Sequence, residues 1–206
     1  QDCHMPILEK GLVTIVTGSE VEPRSPFYMH ELVGGNVTML KLLRDNVDEL
    51  CLKAAPEQFD EVIAKTLDML QNRSLDLELN LIDRTPDTAF FEVEILNKAG
   101  HKFPSGYPSR RAFVEFTVTD ESGDTLFISG KTDSEFEVFG HNPDYEPHYK
   151  TITFEDQVQI YEMVMGDVNG DVTTVLIRAD FPIKDNRIPP VGFSTSHEVY
   201  DTTQIA

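Results

Sequence analysis

Leu75-Asp76-Leu77-Glu78-Leu79-Asn80-Leu81 alternates apolar and polar side chains at every step. A β-strand sends successive side chains to opposite faces, so this run reads as a half-buried strand. Further along, Phe91, Val93 and Ile95 alternate with Glu92, Glu94 and Asn97 in the same period. Ala112 to Thr119 and Thr125 to Ser129 then flank Asp120-Glu121-Ser122-Gly123-Asp124, whose residues favour a hairpin turn. Val158, Ile160, Tyr161 and Val164 make another strand, and Thr173 to Ala179 one more. Several short strands separated by turn residues predict a mainly β, antiparallel, immunoglobulin-like β-sandwich over residues 74–206. Leu75, Leu77, Leu79, Phe91, Val93, Ile95, Phe113, Phe116, Val118 and Ile160 are expected to supply much of its core.

Upstream of Leu75 the period is helical. Val37, Met39, Leu40, Leu42, Leu43, Val47, Leu50, Cys51 and Leu52 form a stripe that Asn36 is placed to cap. Pro56 ends that stripe and suits the first turn of a second helix, on which Phe59, Val62, Ile63, Leu67 and Leu70 share a face. A short helical hairpin over 36–73 therefore precedes the β domain. Residues 7–29 mix short apolar runs with Gly11, Gly18, Pro23 and Pro26, as a loop wrapped over something else would. The expected division is residues 1–73, an irregular segment with a helical hairpin, and residues 74–206.

Acidic residues outnumber basic ones 36 to 17, for a net charge of −19. Such a field repels phosphate backbones and anionic lipid heads, which argues against nucleic acid or a membrane surface as partner. It keeps the protein soluble, or attracts cations and basic redox partners. No run of about 18 apolar residues is present to span a membrane. The two cysteines, Cys3 and Cys51, could pair, although Cys51 in a helical stripe reads more simply as a small buried hydrophobe.

The opening Gln1-Asp2-Cys3-His4 bears on function most directly. A c-type heme is attached through C-x-x-C-H, where both thiols add to vinyl groups and the histidine ligates iron. Cys3-His4 is the end of such a motif, with Cys3 as the second thioether cysteine and His4 as the proximal ligand; an accidental Cys-His pair is the alternative. Since no complete C-x-x-C-H is present, heme c is expected on the parent protein and not on this piece of it.

Other stretches carry a resemblance. Cys3-His4-Met5-Pro6 with His30 ahead of Gly34-Gly35-Asn36 resembles the last heme segment of periplasmic multiheme c-type cytochromes. So do Gly100-His101-Lys102-Phe103-Pro104-Ser105-Gly106-Tyr107-Pro108-Ser109-Arg110-Arg111, Glu146-Pro147-His148-Tyr149, Gln157 to Glu162, and Lys184-Asp185-Asn186-Arg187-Ile188-Pro189-Pro190. The resemblance implies electron transfer, a periplasmic or extracellular location, and other redox proteins or heme domains of the same chain as partners. It also implies cofactor-binding roles for Cys3, His4, His30 and His101, with His4 and His30 as the two iron ligands. His30 reads equally as a surface residue at the entry to the first helix. His101 reads as a ligand to a neighbouring heme or as part of a structural corner, with Arg110 and Arg111 on propionates or on acidic neighbours.

His141, Asn142, Asp144, Glu146 and His148 crowd one loop and could bind a divalent metal, or form a rigid acidic turn with Pro143 and Pro147. Asp167-Val168-Asn169-Gly170-Asp171 opens like a calcium loop, but Val172 and Arg178 stand where an EF-hand needs Gly and Glu. G-x-S-x-G, H-E-x-x-H and phosphate-loop motifs are absent. An electron carrier is thus expected in preference to an enzyme. The competing expectation is a cofactor-free β-sandwich module that docks partner proteins.

Overall fold

The structure is a computed structural model that describes residues 3–8, 11–14, 21–142 and 144–198. Gly18, Pro143 and the stretch from Val199 onward lie outside these residues. Strands dominate, two α-helices are present, and every pairing between the described strands is antiparallel. Among the described residues no helix is long and apolar enough to cross a membrane.

Two compact units, Gln1–Ala99 and Gly100–Ala206, make up the chain. The change of period at Leu75 placed the boundary at 73/74, but the hairpin that starts there groups with the helices. Its two ends explain why. Ser74 donates its hydroxyl to the Met69 carbonyl at 2.8 Å, and the Lys98 N–H returns to the Ser74 carbonyl at 3.0 Å.

In the first unit, β1 (Ile7–Leu8) pairs with β2 (Phe27–Tyr28), Ile7 opposite Tyr28 and Leu8 opposite Phe27. The ladder continues outward through Met29 N–H to the Pro6 carbonyl at 2.9 Å and Val33 N–H to the His4 carbonyl at 3.1 Å. Helix α1 (Val37–Asp45) starts at Asn36, whose side-chain oxygen accepts from the N–H groups of Thr38 and Met39 at 2.8 and 3.4 Å. That cap satisfies donors that have no partner within the helix. Cys51 lies past the helix with φ of 50°, exposed and with a free thiol, so it is not the buried hydrophobe its stripe position suggested. Helix α2 (Pro56–Asp68) has Pro56 in its first turn and runs into a single wide turn, Met69–Arg73. Arg44 joins the helices by an ion pair to Asp60 at 2.7 Å.

Strands β3 (Leu75–Arg84) and β4 (Ala89–Asn97) form the predicted hairpin, with Leu77 opposite Ile95, Leu79 opposite Val93 and Leu81 opposite Phe91. These apolar residues share one face, as the alternation required. That face is nevertheless uncovered: Leu77 is 67% exposed and Leu79 58%. Of the residues expected in the core, Ile160 is buried, whereas Leu77, Leu79, Phe91 and Phe113 are exposed.

The second unit is built on β8 (Ile160–Gly166), reached through β5 (Arg111–Phe113), β6 (Phe116–Thr119) and β7 (Thr125–Ser129). The sequence from Ala112 to Thr119 looked like one strand, but it breaks at Val114-Glu115. β5 pairs with β8 while β6 pairs with β7. Gly130, with φ of 79°, passes so close to the Val114 carbonyl that no side chain fits there. Next, β9 (Val172–Thr173) pairs with β8 for two residues only, and a turn at Leu176–Arg178 replaces the rest of the expected strand. Strand β10 (Phe181–Asp185), not anticipated from the sequence, takes the other edge of β8. Val138, Val158 and Ile160 form the buried apolar cluster.

Three turns in this unit use one device. Asp120, Asp133 and Asp167 each accept two backbone N–H groups on a carboxylate oxygen, two and four residues ahead. Each turn then needs a left-handed residue in its fourth position, and these are Gly123, Phe136 and Gly170. The stretch that opened like a calcium loop is the third of these turns. Its hydrogen bonds, that from the Asn169 backbone foremost, hold the Asp167 carboxyl below its ordinary pKa.

Candidate functional site

Cys3, His4 and His30 are all positioned by the ladder of the first unit. Cys3 is a free, half-buried thiol next to His4. His4 is held at both its carbonyl and its ring, because Nδ1 hydrogen-bonds the Val33 carbonyl. A carbonyl only accepts, so the neutral ring carries its proton on Nδ1 and its lone pair on Nε2. That is the tautomer in which an imidazole ligates a metal while its other nitrogen donates to the backbone. His30 is exposed and follows Met29, whose N–H is bonded to Pro6. The strands therefore bring the two histidine-bearing segments side by side, joined by main-chain bonds on either side of His30. Apolar side chains along this segment, Leu12 and Leu32 among them, are left exposed.

Of the groups a c-type heme uses, this segment offers one thiol, an adjacent imidazole and a second imidazole on the paired segment, without the second thiol of C-x-x-C-H.

His101 belongs to the second unit, where its Nδ1 hydrogen-bonds the Lys102 carbonyl at 2.9 Å and its side chain is exposed. Arg110 donates to the Ser105 carbonyl at 3.0 Å, and Arg111 pairs with Glu137 at 3.0 Å. Tyr107 ties the same loop down by donating to the Thr174 carbonyl and accepting from Leu176 N–H.

The four stretches that carried the resemblance in the second unit converge on one another. Phe103 and Ile188 exchange main-chain hydrogen bonds at 2.9 and 2.8 Å. Lys102 reaches Asp185 at 2.8 Å, and Arg187 grips the same carboxylate through Nε and a terminal nitrogen, both at 2.8 Å. Burial alone would push the Asp185 carboxyl up, but Arg187 and Lys102 outweigh it and hold it below the usual range. One residue away, Lys184 lies buried with its ammonium on Glu162 at 2.8 Å, on the Ile160 carbonyl at 3.3 Å and on the Glu146 carbonyl.

The neighbouring amides fix a second tautomer. Gln159 accepts Tyr149 N–H, and Asn186 accepts Glu162 N–H, so both amides turn their NH2 groups toward His148 Nδ1, at 2.8 and 3.2 Å. His148 therefore keeps its lone pair on Nδ1, the reverse of His4. In the same loop, His141 Nδ1 bonds the Val138 carbonyl at 2.5 Å, and Glu146 accepts from Asn142 N–H and Tyr149 O–H. Among the described residues no group of three or more His, Cys, Asp and Glu side chains is arranged to hold a metal ion.

This buried network was not anticipated from the sequence, although one signal marked it. Glu162 is in phase with Ile160 and Val164 on the buried face of β8, a position where an acidic side chain demands a cation. Comparison with protein-family models, with curated proteins and with solved structures finds no match to this chain.

Proposed function

We propose that this chain is the last heme segment of a periplasmic or extracellular multiheme c-type cytochrome, followed by an accessory immunoglobulin-like β-sandwich, and that it acts in electron transfer. The observation that carries the reading is His4. It directly follows Cys3, and its Nδ1 hydrogen-bonds the Val33 carbonyl, so in the neutral ring Nε2 carries the lone pair that would meet the iron. Cys3 supplies a thioether sulfur, His4 the proximal imidazole and His30 the opposite one. A bound heme would supply the one-electron couple; the protein supplies ligation, burial and spacing. Two imidazoles close the iron to substrate, which suits relay of electrons and not bond-making. Exposed apolar residues such as Leu12 and Leu32 suit a segment whose covering surface is a macrocycle. In this reading the buried network of the second unit makes a rigid accessory domain, and His101 is a candidate for a neighbouring heme.

A test is mass spectrometry of tryptic peptides from the natural full-length protein. The peptide containing Cys3-His4 is expected to carry heme mass that survives denaturation and acid-acetone extraction. An unmodified Cys3 peptide overturns the proposal.

The second reading, a cofactor-free docking module, is favoured by the hairpin of β3 and β4. Leu77, Leu79 and Leu81 present an uncovered apolar row there, of a kind that marks interaction surfaces.

A further inference from the structure

Among the described residues, the second unit holds one buried charged side chain that its ion pairs leave out. Glu146 is 3% exposed, and its two carboxylate oxygens accept from Tyr149 O–H at 3.0 Å and Asn142 N–H at 2.5 Å, both neutral donors. Among the described residues, the ion pairs of this unit join Lys102 and Arg187 to Asp185, Lys184 to Glu162, and Arg111 and His141 to Glu137. Lys184 reaches Glu146 only at its backbone carbonyl. A buried carboxylate is ordinarily matched by a cation, since desolvating a lone charge is costly.

Glu146 does not face a sealed core. It lines an open hollow of about 690 Å³ together with Tyr149, Phe154 and Asp156, and among the described residues no Lys, Arg or His lines that hollow. The Tyr149 hydroxyl senses the whole arrangement: burial first, then Glu146 and Asp156, push its pKa up. Two carboxylates and two aromatic rings thus surround a space that lacks positive charge.

We propose that this hollow binds the ammonium head of an alkylamine, either a free amine or a lysine side chain of a partner protein. Glu146 and Asp156 supply the countercharge, and the Tyr149 and Phe154 rings supply cation–π contact. An ammonium fits better than a guanidinium. Each Glu146 oxygen already accepts one hydrogen bond, so a guanidinium fork has to share both oxygens, whereas a point donor needs to share only one. A divalent metal fits less well, because two carboxylates with no third His, Cys, Asp or Glu among the described residues do not complete its shell. This inference does not rest on the heme reading.

The test is a titration of the isotope-labelled chain, followed by amide NMR, with n-butylammonium, with Nα-acetyl-lysine amide and with n-butylguanidinium. Saturable shifts confined to residues around Asn142, Tyr149, Phe154 and Gln157 are expected with both amines, and weaker binding with the guanidinium. Tighter binding of the lysine amide than of butylammonium assigns the site to a protein side chain, and equal binding assigns it to free amines. Asp156→Asn and Phe154→Ala change exposed residues and leave the fold intact; each is expected to weaken binding about three- to fivefold. Absence of saturable shifts at tens of millimolar amine overturns the proposal, as does binding that is unchanged in both variants.

Discussion

Replacing Lys184 with Met tests whether the polar centre of the second unit behaves as a buried ion pair. The ammonium has three protons and three acceptors in place: the Glu162 carboxylate and the carbonyls of Ile160 and Glu146. The side chains of Lys184 and Glu162 are only 9% and 8% exposed, so solvent does little to compensate either charge. Lys184→Met leaves the Glu162 carboxylate buried without a cation, a change that costs about 3–5 kcal/mol. Replacing Glu162 with Met as well removes the stranded charge. What then remains unsatisfied is the Glu146 carbonyl, because the Ile160 carbonyl still accepts from Asn186 at 2.8 Å. One orphaned buried carbonyl costs about 1–3 kcal/mol, so the double variant is expected to be more stable than Lys184→Met alone. Urea unfolding at pH 7, followed by circular dichroism and tyrosine fluorescence, measures Lys184→Met, Glu162→Met and the double variant in one cycle. A single-variant cost below about 1 kcal/mol, or a double variant whose cost is the sum of the singles, refutes the reasoning.

Three further outcomes follow from local features. Phe136 is 82% exposed with φ of 66°, so Phe136→Gly removes backbone strain while losing little burial; a gain of about 0.5–1 kcal/mol is expected, and a lowered urea midpoint would count against it. Asn36→Ala removes the cap of α1 and should cost the first unit about 1 kcal/mol, read as a lower midpoint of helical circular dichroism; no change means the cap is idle. Asp185 has a folded pKa below its unfolded value, so its stabilisation is complete above the unfolded pKa of about 3.9 and fades as pH falls through the folded value. Asp185→Asn should therefore flatten the loss of stability below about pH 4, and an unaltered acid slope would show that other carboxyls govern it.

Local pattern made much of the secondary structure legible. Alternation from Leu75 to Leu81 placed β3 and the shared face it makes with β4, Asn36 and Pro56 placed the helix starts, and Asp120 to Asp124 placed a turn. Alternation states which residues share a face, however, and not whether anything covers it, which is why Leu77 and Leu79 were misplaced in the core. Breaks that depend on a distant neighbour were equally hidden. The chain changes partner at Val114 because Gly130 lies against that carbonyl, and β10 exists because β8 has an edge to fill. For the candidate site, Cys3-His4 stood out in the sequence as the end of a heme motif, but the Val33 carbonyl that orients the ring lies 29 residues away and left no local signal. The stretches from Gly100 to Arg111 and from Lys184 to Pro190 looked functional; Lys102, Asp185 and Arg187 show that they also hold each other.

The most direct test of the central claim is electron paramagnetic resonance of the oxidised full-length protein with and without His30→Ala. A bis-imidazole iron at His4 and His30 predicts that one low-spin ferric signal of the native protein is lost and one high-spin signal appears, with the remaining hemes unchanged. An unaltered set of low-spin signals in His30→Ala would contradict the account.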